Sequence, residues 1–346
     1  MNDDSIILKD FQVDEDTGEI KKEREWSRKK AKTLILSDAF KRLEQEKKAT
    51  KVKTCASYLL FSEKLDGTKK LKHAFFCKDI LCPVCAWRRS IANRGQLFKI
   101  IHKMYEYHPD VNFIFLTLTQ KNVKASDLKS EIETLNKAFD KMFRRSEIYK
   151  NPYLLGHVKV LEITRNLKKR SENYNTYHPH FHVLIAVKPL YFSHNFYLSQ
   201  ERLTTLWQEA LKIDYKPIVH VLKVKTTGEQ GKLNMGEISE VKAVLETAKY
   251  TVKDSEYIYE SLDLNNKDQV YEMDTGIETL MKSLKNKNMI SYSGIFRLIK
   301  HDLGLEDVMS ENADLIGYDE KIDTGIRDVL YKFDFRLKVF KEAKSL

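Results

Sequence analysis

Glycine and proline are scarce in this chain, 12 and 6 among 346 residues, which excludes collagen-like, mucin-like and wholly disordered architectures. No apolar run reaches the roughly 18 residues that a membrane-spanning helix needs. The opening MNDDSIILKDF is acidic and lacks the basic start and apolar core of a secretory leader. A soluble cytoplasmic protein with no membrane partner is the expectation. Cysteine is also rare, four in all, too few for a disulfide scaffold of this length. Aromatics, by contrast, are plentiful: 17 Phe and 17 Tyr supply material for a core, and the length suits about two domains.

The net charge is +10, unevenly spread. Residues 1–20 hold one lysine against seven acids, a balance of −6, whereas residues 21–53 hold thirteen basic residues against five acids, a balance of +8. The remaining chain is basic again. A basic segment joined to a basic body suits a polyanion such as nucleic acid, although a charge run alone also fits a solvated helix.

Three of the four cysteines lie in FCKDILCPVCAW, a C-x4-C-x2-C cluster. In a reducing compartment this spacing favours a metal over disulfides. Cys82-Pro83-Val84-Cys85 forms a knuckle able to offer two thiolates to one ion. Segment 56–76 reads as a hairpin turning at Asp66-Gly67, which would return Cys55 to Cys77. Four thiolates suit a closed structural Zn2+ site; the alternative leaves Cys55 a buried free thiol and makes His73 the fourth ligand. Trp87-Arg88-Arg89 then opens a helix carrying Arg94 and Lys99, whose basic side chains either reach phosphates or form a solvated face.

Residues 111–119 (VNFIFLTLT), 157–164 (HVKVLEIT) and 178–187 (HPHFHVLIAV) read as strands, the last two joined by a polar connection and therefore antiparallel. Alternation puts His180 and His182 on one face, with Phe181, Val183, Ile185 and Val187 on the other. If Glu162 pairs opposite either histidine, its carboxylate joins them; a one-residue slip would turn it away. Two imidazoles and a carboxylate with open positions suit Mg2+ or Mn2+ beside a phosphate. A bare His-x-His on a strand is equally compatible with two ordinary hydrogen-bonded histidines. His178 is a spare at the strand start.

Residues 237–253 (EISEVKAVLETAKYTVK) have apolar positions at Val241, Val244, Leu245, Ala248 and Val252, the spacing of an amphipathic helix. Glu246, Tyr250 and Lys253 form a column well round from that stripe, as an exposed i,i+4 pair also would. A phenolate can attack a phosphodiester when a metal takes up the phosphate charge. Lys253 can lower the phenol pKa, and Glu246 can act as base toward the phenol or a water.

The order FLTLT (115–119), HPHFH (178–182) and E-x3-Y-x2-K (246–253) resembles the HUH endonucleases, and within them the rolling-circle replication initiators of small bacterial plasmids that use one catalytic Tyr and a nearby Glu. FCKDILCPVCAWRR and TCASYLLF resemble the cysteine elements upstream of the first motif in that class, and ISYSGIFRLIKHDLGL (290–305) resembles its downstream region. The resemblance spans about residues 54–310. It implies an α+β fold with an HUH-type central antiparallel sheet flanked by helices. His180, His182 and an acid from the adjacent strand, Glu162, would hold the catalytic ion. Tyr250 would cut the plasmid double-strand origin, in a single strand exposed by a hairpin, leaving a 5′-phosphotyrosyl link and a 3′-OH primer. Glu246 would activate water at termination. Host helicase and polymerase are implied partners.

The expected organisation is a charged, partly flexible N-terminal arm (1–53), a four-cysteine zinc module (54–92: Cys55, Cys77, Cys82, Cys85), an HUH core (93–260) and a helical C-terminal region (261–346). In the last region 276–286 and 325–340 read as helices that bind DNA, cover the sheet or dimerise. The rival reading from another class is a zinc-containing DNA-binding regulator without catalysis. It explains the charge and the cysteines, but not the conjunction of His-Phe-His with Glu-x3-Tyr.

Overall fold

A computed structural model describes residues 6–13, 20–193, 195–224, 252–310, 312–316 and 327–343. They are mixed α and β with antiparallel sheets, and divide into two compact units, each discontinuous in sequence. The first comprises residues up to 92, 257–278 and 308 onward; the second comprises 93–256 and 279–307. No helix among the described residues is long and apolar enough to cross a membrane.

The first unit begins with a short ribbon, β1 (Phe11–Val13) and β2 (Ile20–Glu23), followed by helices α1 (Trp26–Arg42) and α2 (Glu46–Thr54). Much of the segment that charge assigns to an arm is thus helical and packed. Trp26, Leu36, Ala39, Phe40, Ala49 and Val52 are buried. Asp10, itself buried, accepts from Trp26 Nε1 (2.8 Å) and Arg24 Nη1 (2.9 Å) and so fixes the start of α1. Basic residues mislead here because several, Lys30 and Lys32 among them, are themselves buried.

The hairpin expected over 56–76 is present as β3 (Tyr58–Glu63) and β4 (Lys69–Ala74). Its sheet has the order β11-β10-β3-β4. Here the C-terminal expectation is corrected: residues 325–340 are not helical. β10 (Arg327–Asp334) and β11 (Val339–Glu342) form a hairpin. Val329, Tyr331 and Phe333 are buried while Asp328, Leu330 and Lys332 are exposed, a period of two that overrides the helical reading. β10 pairs with β3 (Val329 opposite Phe61, Tyr331 opposite Leu59), and Phe61 meets Trp26 and Tyr331 edge-on.

In the second unit a five-stranded antiparallel sheet has the order β8-β5-β7-β6-β9. Its strands are β5 (Asn112–Leu118), β6 (Leu154–Arg165), β7 (Tyr177–Val187), β8 (Val219–Val224) and β9 (Ile290–Tyr292). The three strands expected from sequence are β5, β6 and β7. One face carries Phe113, Phe115, Val158, Val160, Leu184 and Ala186. They pack on Leu97, Ile100 and Met104 of α3 (Pro83–Tyr107) and on Phe296 and Ile299 of the helix Ile295–Asp302. The other face meets α4 (Leu128–Phe143), where Phe139 contacts Phe181, and α6 (Gln200–Leu211), where Trp207 Nε1 donates to Thr119 O (2.8 Å). A short helix α5 (Ser146–Tyr149) links α4 to β6, and α7 (Lys267–Leu284) includes most of the helix expected at 276–286. The helix Ile295–Asp302 is α8.

Gly156 and Gly294 meet backbone to backbone where β6 passes the start of α8. A Cβ on either would collide, with Ser293 O at Gly156 and with Leu155 O at Gly294, and Gly294 has φ +55°. This near-contact closes the β9–α8 corner against the sheet.

Candidate metal centres

Alternation and register bring the first group together. On β7, His180 and His182 share a face, and Glu162 on β6 lies opposite His180. Their ligand atoms all lie within 4.8 Å of one another. Glu162 Oε2 is 3.0 Å from His182 Nε2 and 3.7 Å from His180 Nε2. The rings are held from behind. His180 Nδ1 faces the His178 carbonyl at 3.0 Å, so Nδ1–H donates there and Nε2 is left for the centre. His182 Nδ1 hydrogen-bonds Thr117 Oγ1 (3.2 Å), and Phe115 stacks on its ring at 5.3 Å. Thr117 pairs with His182 across the sheet, so the FLTLT strand supplies this support directly.

Burial would raise the Glu162 pKa, but hydrogen bonds and charge from the two imidazoles hold it well below the usual carboxylate range. Lys253 Nζ lies beside this group, 4.0 Å from Glu162 Oε1. Glu256, three residues on, accepts from the Arg165 N–H at 2.8 Å. Burial pushes its carboxyl up to about 7, against the Arg165 hydrogen bond and nearby Lys253. Sequence reasoning missed Glu256, which has no periodic partner to mark it. Glu246 and Tyr250 lie outside the described residues. His178 stacks on His180 but is not in the ligand group; burial lowers its pKa.

A carboxylate oxygen and two imidazole nitrogens, held on paired strands, are a suitable donor set for a divalent cation beside a phosphate.

The second group is sulfur only. Cys55 follows the last turn of α2, Cys77 follows β4, and Cys82 precedes Pro83, the first residue of α3, with Cys85 in its first turn. Proline at a helix start pre-sets the turn that aims both knuckle thiols one way. Ala56 N–H donates to Phe75 O (2.7 Å), closing the hairpin base and bringing Cys55 to Cys77. All four cysteines are buried. Cys55 Sγ is 3.5 Å from Cys85 Sγ and 3.6 Å from Cys82 Sγ, and Cys77 Sγ is 3.6 Å from Cys85 Sγ. Four sulfurs about 2.3 Å from one tetrahedral ion would lie about 3.8 Å apart, so the cluster fits such an ion with small adjustment. Backbone N–H groups of Cys77 and Lys78 point at Cys55 Sγ (3.4 Å) and Cys85 Sγ (3.2 Å), the outer support that thiolate centres need. Burial pushes the Cys55 and Cys85 thiols up; a cation would reverse that preference. His73 is exposed on β4 and absent from the group, so the alternative ligand set is not the one assembled.

Arg88 and Arg89, read as phosphate-reaching or solvated, are neither. Both are buried, and they bind carbonyls: Arg88 Nε to Leu315 O (2.8 Å), Arg89 Nε to Val308 O (3.3 Å) and Arg89 Nη1 to Asp79 O (3.1 Å). Arg89 thereby ties the loop between Cys77 and Cys82 to the helix that holds Cys85. Basic side chains near a metal knuckle are not distinguishable by sequence as clamps or as DNA contacts.

A sheet hairpin with a carboxylate and two histidines, in a chain that also builds a buried tetracysteine cluster, defines a protein with two metal-competent centres. The replication-protein family model matches residues 68–340, and the chain belongs to that family, as its resemblance to rolling-circle plasmid initiators implies. Similar relatives include "Protein rep" of Lentilactobacillus hilgardii, 36% identical over 324 residues (92% of this chain, 95% of the relative). "Protein rep" of Streptococcus pneumoniae serotype 2 is 37% identical over 318 residues (91% and 88%), and that of Lactiplantibacillus plantarum is 37% identical over 331 (94% and 97%). No solved structure matches the chain.

Proposed function

We propose that this protein initiates plasmid rolling-circle replication as an HUH-type nicking and strand-transfer enzyme. The observation that carries the reading is the convergence of Glu162, His180 and His182, with Lys253 Nζ 4.0 Å from the same carboxylate. Tyr250 is three positions from Lys253 in sequence, and three residues of chain span at most about 11 Å, so connectivity supports Tyr250 as the nucleophile for this centre. Residues 93–260 would form the catalytic core. Residues 54–92 would hold the structural Zn2+, and part of residues 261–346 would bind DNA or dimerise.

In this reading the Tyr250 hydroxyl loses its proton to a base, Glu246, with Lys253 favouring the phenolate. The phenolate oxygen bonds to the scissile phosphorus, and the bond from phosphorus to the 3′-oxygen breaks. That oxygen takes up a proton and leaves as the 3′-OH primer, while the DNA 5′-phosphate stays on Tyr250. A Mg2+ or Mn2+ ion bound by Glu162, His180 and His182 would supply charge stabilisation to the phosphate. The imidazole neighbours favour the ionised form of Glu162, and Thr117 and the His178 carbonyl fix the ring orientations, so these residues would preorganise the centre before DNA arrives. At termination Glu246 would take a proton from a water, in place of a second Tyr; the water oxygen bonds to the phosphorus of the regenerated site as its bond to the 3′-oxygen breaks, and the freed 3′-OH then displaces Tyr250 from the 5′-phosphate. The substrate is a single strand, exposed by a hairpin in the double-strand origin and held electrostatically by a chain of net charge +10. A host helicase would unwind ahead, and a host polymerase would extend the 3′-OH.

The test is relaxation of a supercoiled plasmid bearing the protein's own origin, with Mn2+, beside Tyr250→Phe. Wild type should relax the plasmid and carry a covalent DNA adduct, and Tyr250→Phe should do neither. Gel retardation without relaxation by wild type would instead support the non-catalytic regulator.

A further inference from the structure

Lys30, on α1, is one of thirteen basic residues between 21 and 53, and its charge count hides what is unusual about it. Its side chain is fully buried. Nζ donates to Lys53 O (2.6 Å), Cys55 O (2.6 Å) and Ser57 Oγ (3.1 Å). The Ser57 hydroxyl donates to Lys53 O, so toward Lys30 it acts as acceptor. Three acceptors need three N–H donors, which only the ammonium form provides. A buried ammonium is costly unless an anion accompanies it. Among the described residues Lys30 makes no ion pair with any carboxylate. The faces of Phe333 and Phe335, 5.9 and 6.0 Å away, are its other electrostatic partners. Burial lowers the Lys30 pKa, and the negative charge of Cys55, Cys82, Cys77 and Cys85 opposes that lowering.

We propose that Lys30 is the built-in counter-charge of the tetracysteine metal centre. Four thiolates around one divalent ion retain two units of excess negative charge in a buried site. Hydrogen bonds from the Cys77 and Lys78 amides spread that charge but do not neutralise it. Lys30 supplies a full positive charge from a second element, α1, and grips the carbonyl of Cys55, one of the ligands. The centre and α1 therefore stabilise each other: the metal thiolates make the buried ammonium tolerable, and the ammonium offsets the excess negative charge of the thiolate–metal centre. The inference rests on reading the four thiols as a divalent metal site.

The competing role for Lys30 is a plain cap on the carbonyl end of α2, and the two differ in what they do to the metal. In the full-length chain, Co2+ replaces Zn2+ as an optical probe. Wild type should show the absorption of a tetrahedral tetrathiolate, and failure to do so would remove the metal-site reading itself. Given that absorption, Lys30→Gln should shift the sulfur-to-cobalt charge-transfer band to longer wavelength, because sulfur electrons lose a neighbouring positive charge. It should also release Zn2+ to a competing chelator about 10- to 100-fold more readily, the range for loss of an outer-shell partner. Lys30→Arg, which keeps the charge, should hold the wild-type band and stay within about threefold in affinity. If Lys30→Gln lowers thermal stability yet leaves the band and chelator curve unchanged, Lys30 is only a cap and the proposal is wrong. If Lys30→Gln does not fold, Lys30→Arg decides: a folded Arg variant with the wild-type band and affinity supports the counter-charge, and a displaced band or weakened affinity overturns it.

Discussion

The two centres differ in how closed they are. The cysteine cluster is sulfur only and sealed, with its outer hydrogen bonds and a buried ammonium supplied from α1 and the cysteine loop. The Glu162–His180–His182 group is nitrogen and oxygen, sits on one hairpin, and keeps an edge where the exposed Lys253 side chain reaches the carboxylate. A sealed thiolate site has no position for a substrate and suits a structural load, whereas an open mixed site suits chemistry.

The comparison breaks most sharply at the cysteines. Cys85→Ala, or chelation of the wild type, should unfold the segment 55–85, seen as new protease cuts there, because small thiolate modules depend on their ion. Next in size, His182→Ala should lower Mn2+-dependent cleavage by about a thousandfold, the equivalent of about 4 kcal/mol of lost charge stabilisation. It should leave the thermal midpoint and origin binding nearly unchanged. Equal loss of stability and activity in both variants would erase the distinction between the centres.

Acid should weaken the sheet of the open centre through His157, on the same strand as Glu162. His157 is held near 4 by burial and then by the Lys159 charge, and it hydrogen-bonds Ser293 Oγ at 3.0 Å. Its folded pKa lies below the unfolded value. The stability it supports is therefore complete above about 6.5 and is lost as pH falls toward 4, on the order of 3 kcal/mol. Urea titrations of wild type and His157→Gln across that window should diverge, the variant showing the shallower slope. The smallest effect should come from Gly294→Ala, about 2 kcal/mol from positive φ and the collision with Leu155 O. Cleavage by the surviving folded fraction should be intact.

What could be read from sequence followed local periodicity. Alternation in HPHFH and HVKVLEIT was enough to place His180 and His182 on one face, while Glu162 depended on the register of β6 and β7, which sets it opposite His180. The cysteine spacing and the 56–76 hairpin were legible for the same reason. Residues 325–340 were not: Val329, Tyr331 and Phe333 alternate over too short a run to decide for a strand until β3 supplies a partner. Arg88, Arg89 and Lys30 were hidden because their partners are backbone carbonyls, and carbonyls leave no trace in residue type. Glu256 likewise depends on one N–H from Arg165.

The position of β10 between β11 and β3 has a consequence for synthesis. β3 is made within the first fifth of translation, yet one of its edges stays open until residues 327–334 leave the ribosome. While the nascent chain waits, that edge offers unpaired backbone to any passing strand. The cysteine knuckle emerges early, and metal capture there would pin the hairpin during the delay. A shortage of the ion during translation should therefore harm yield more than the same shortage imposed on finished protein.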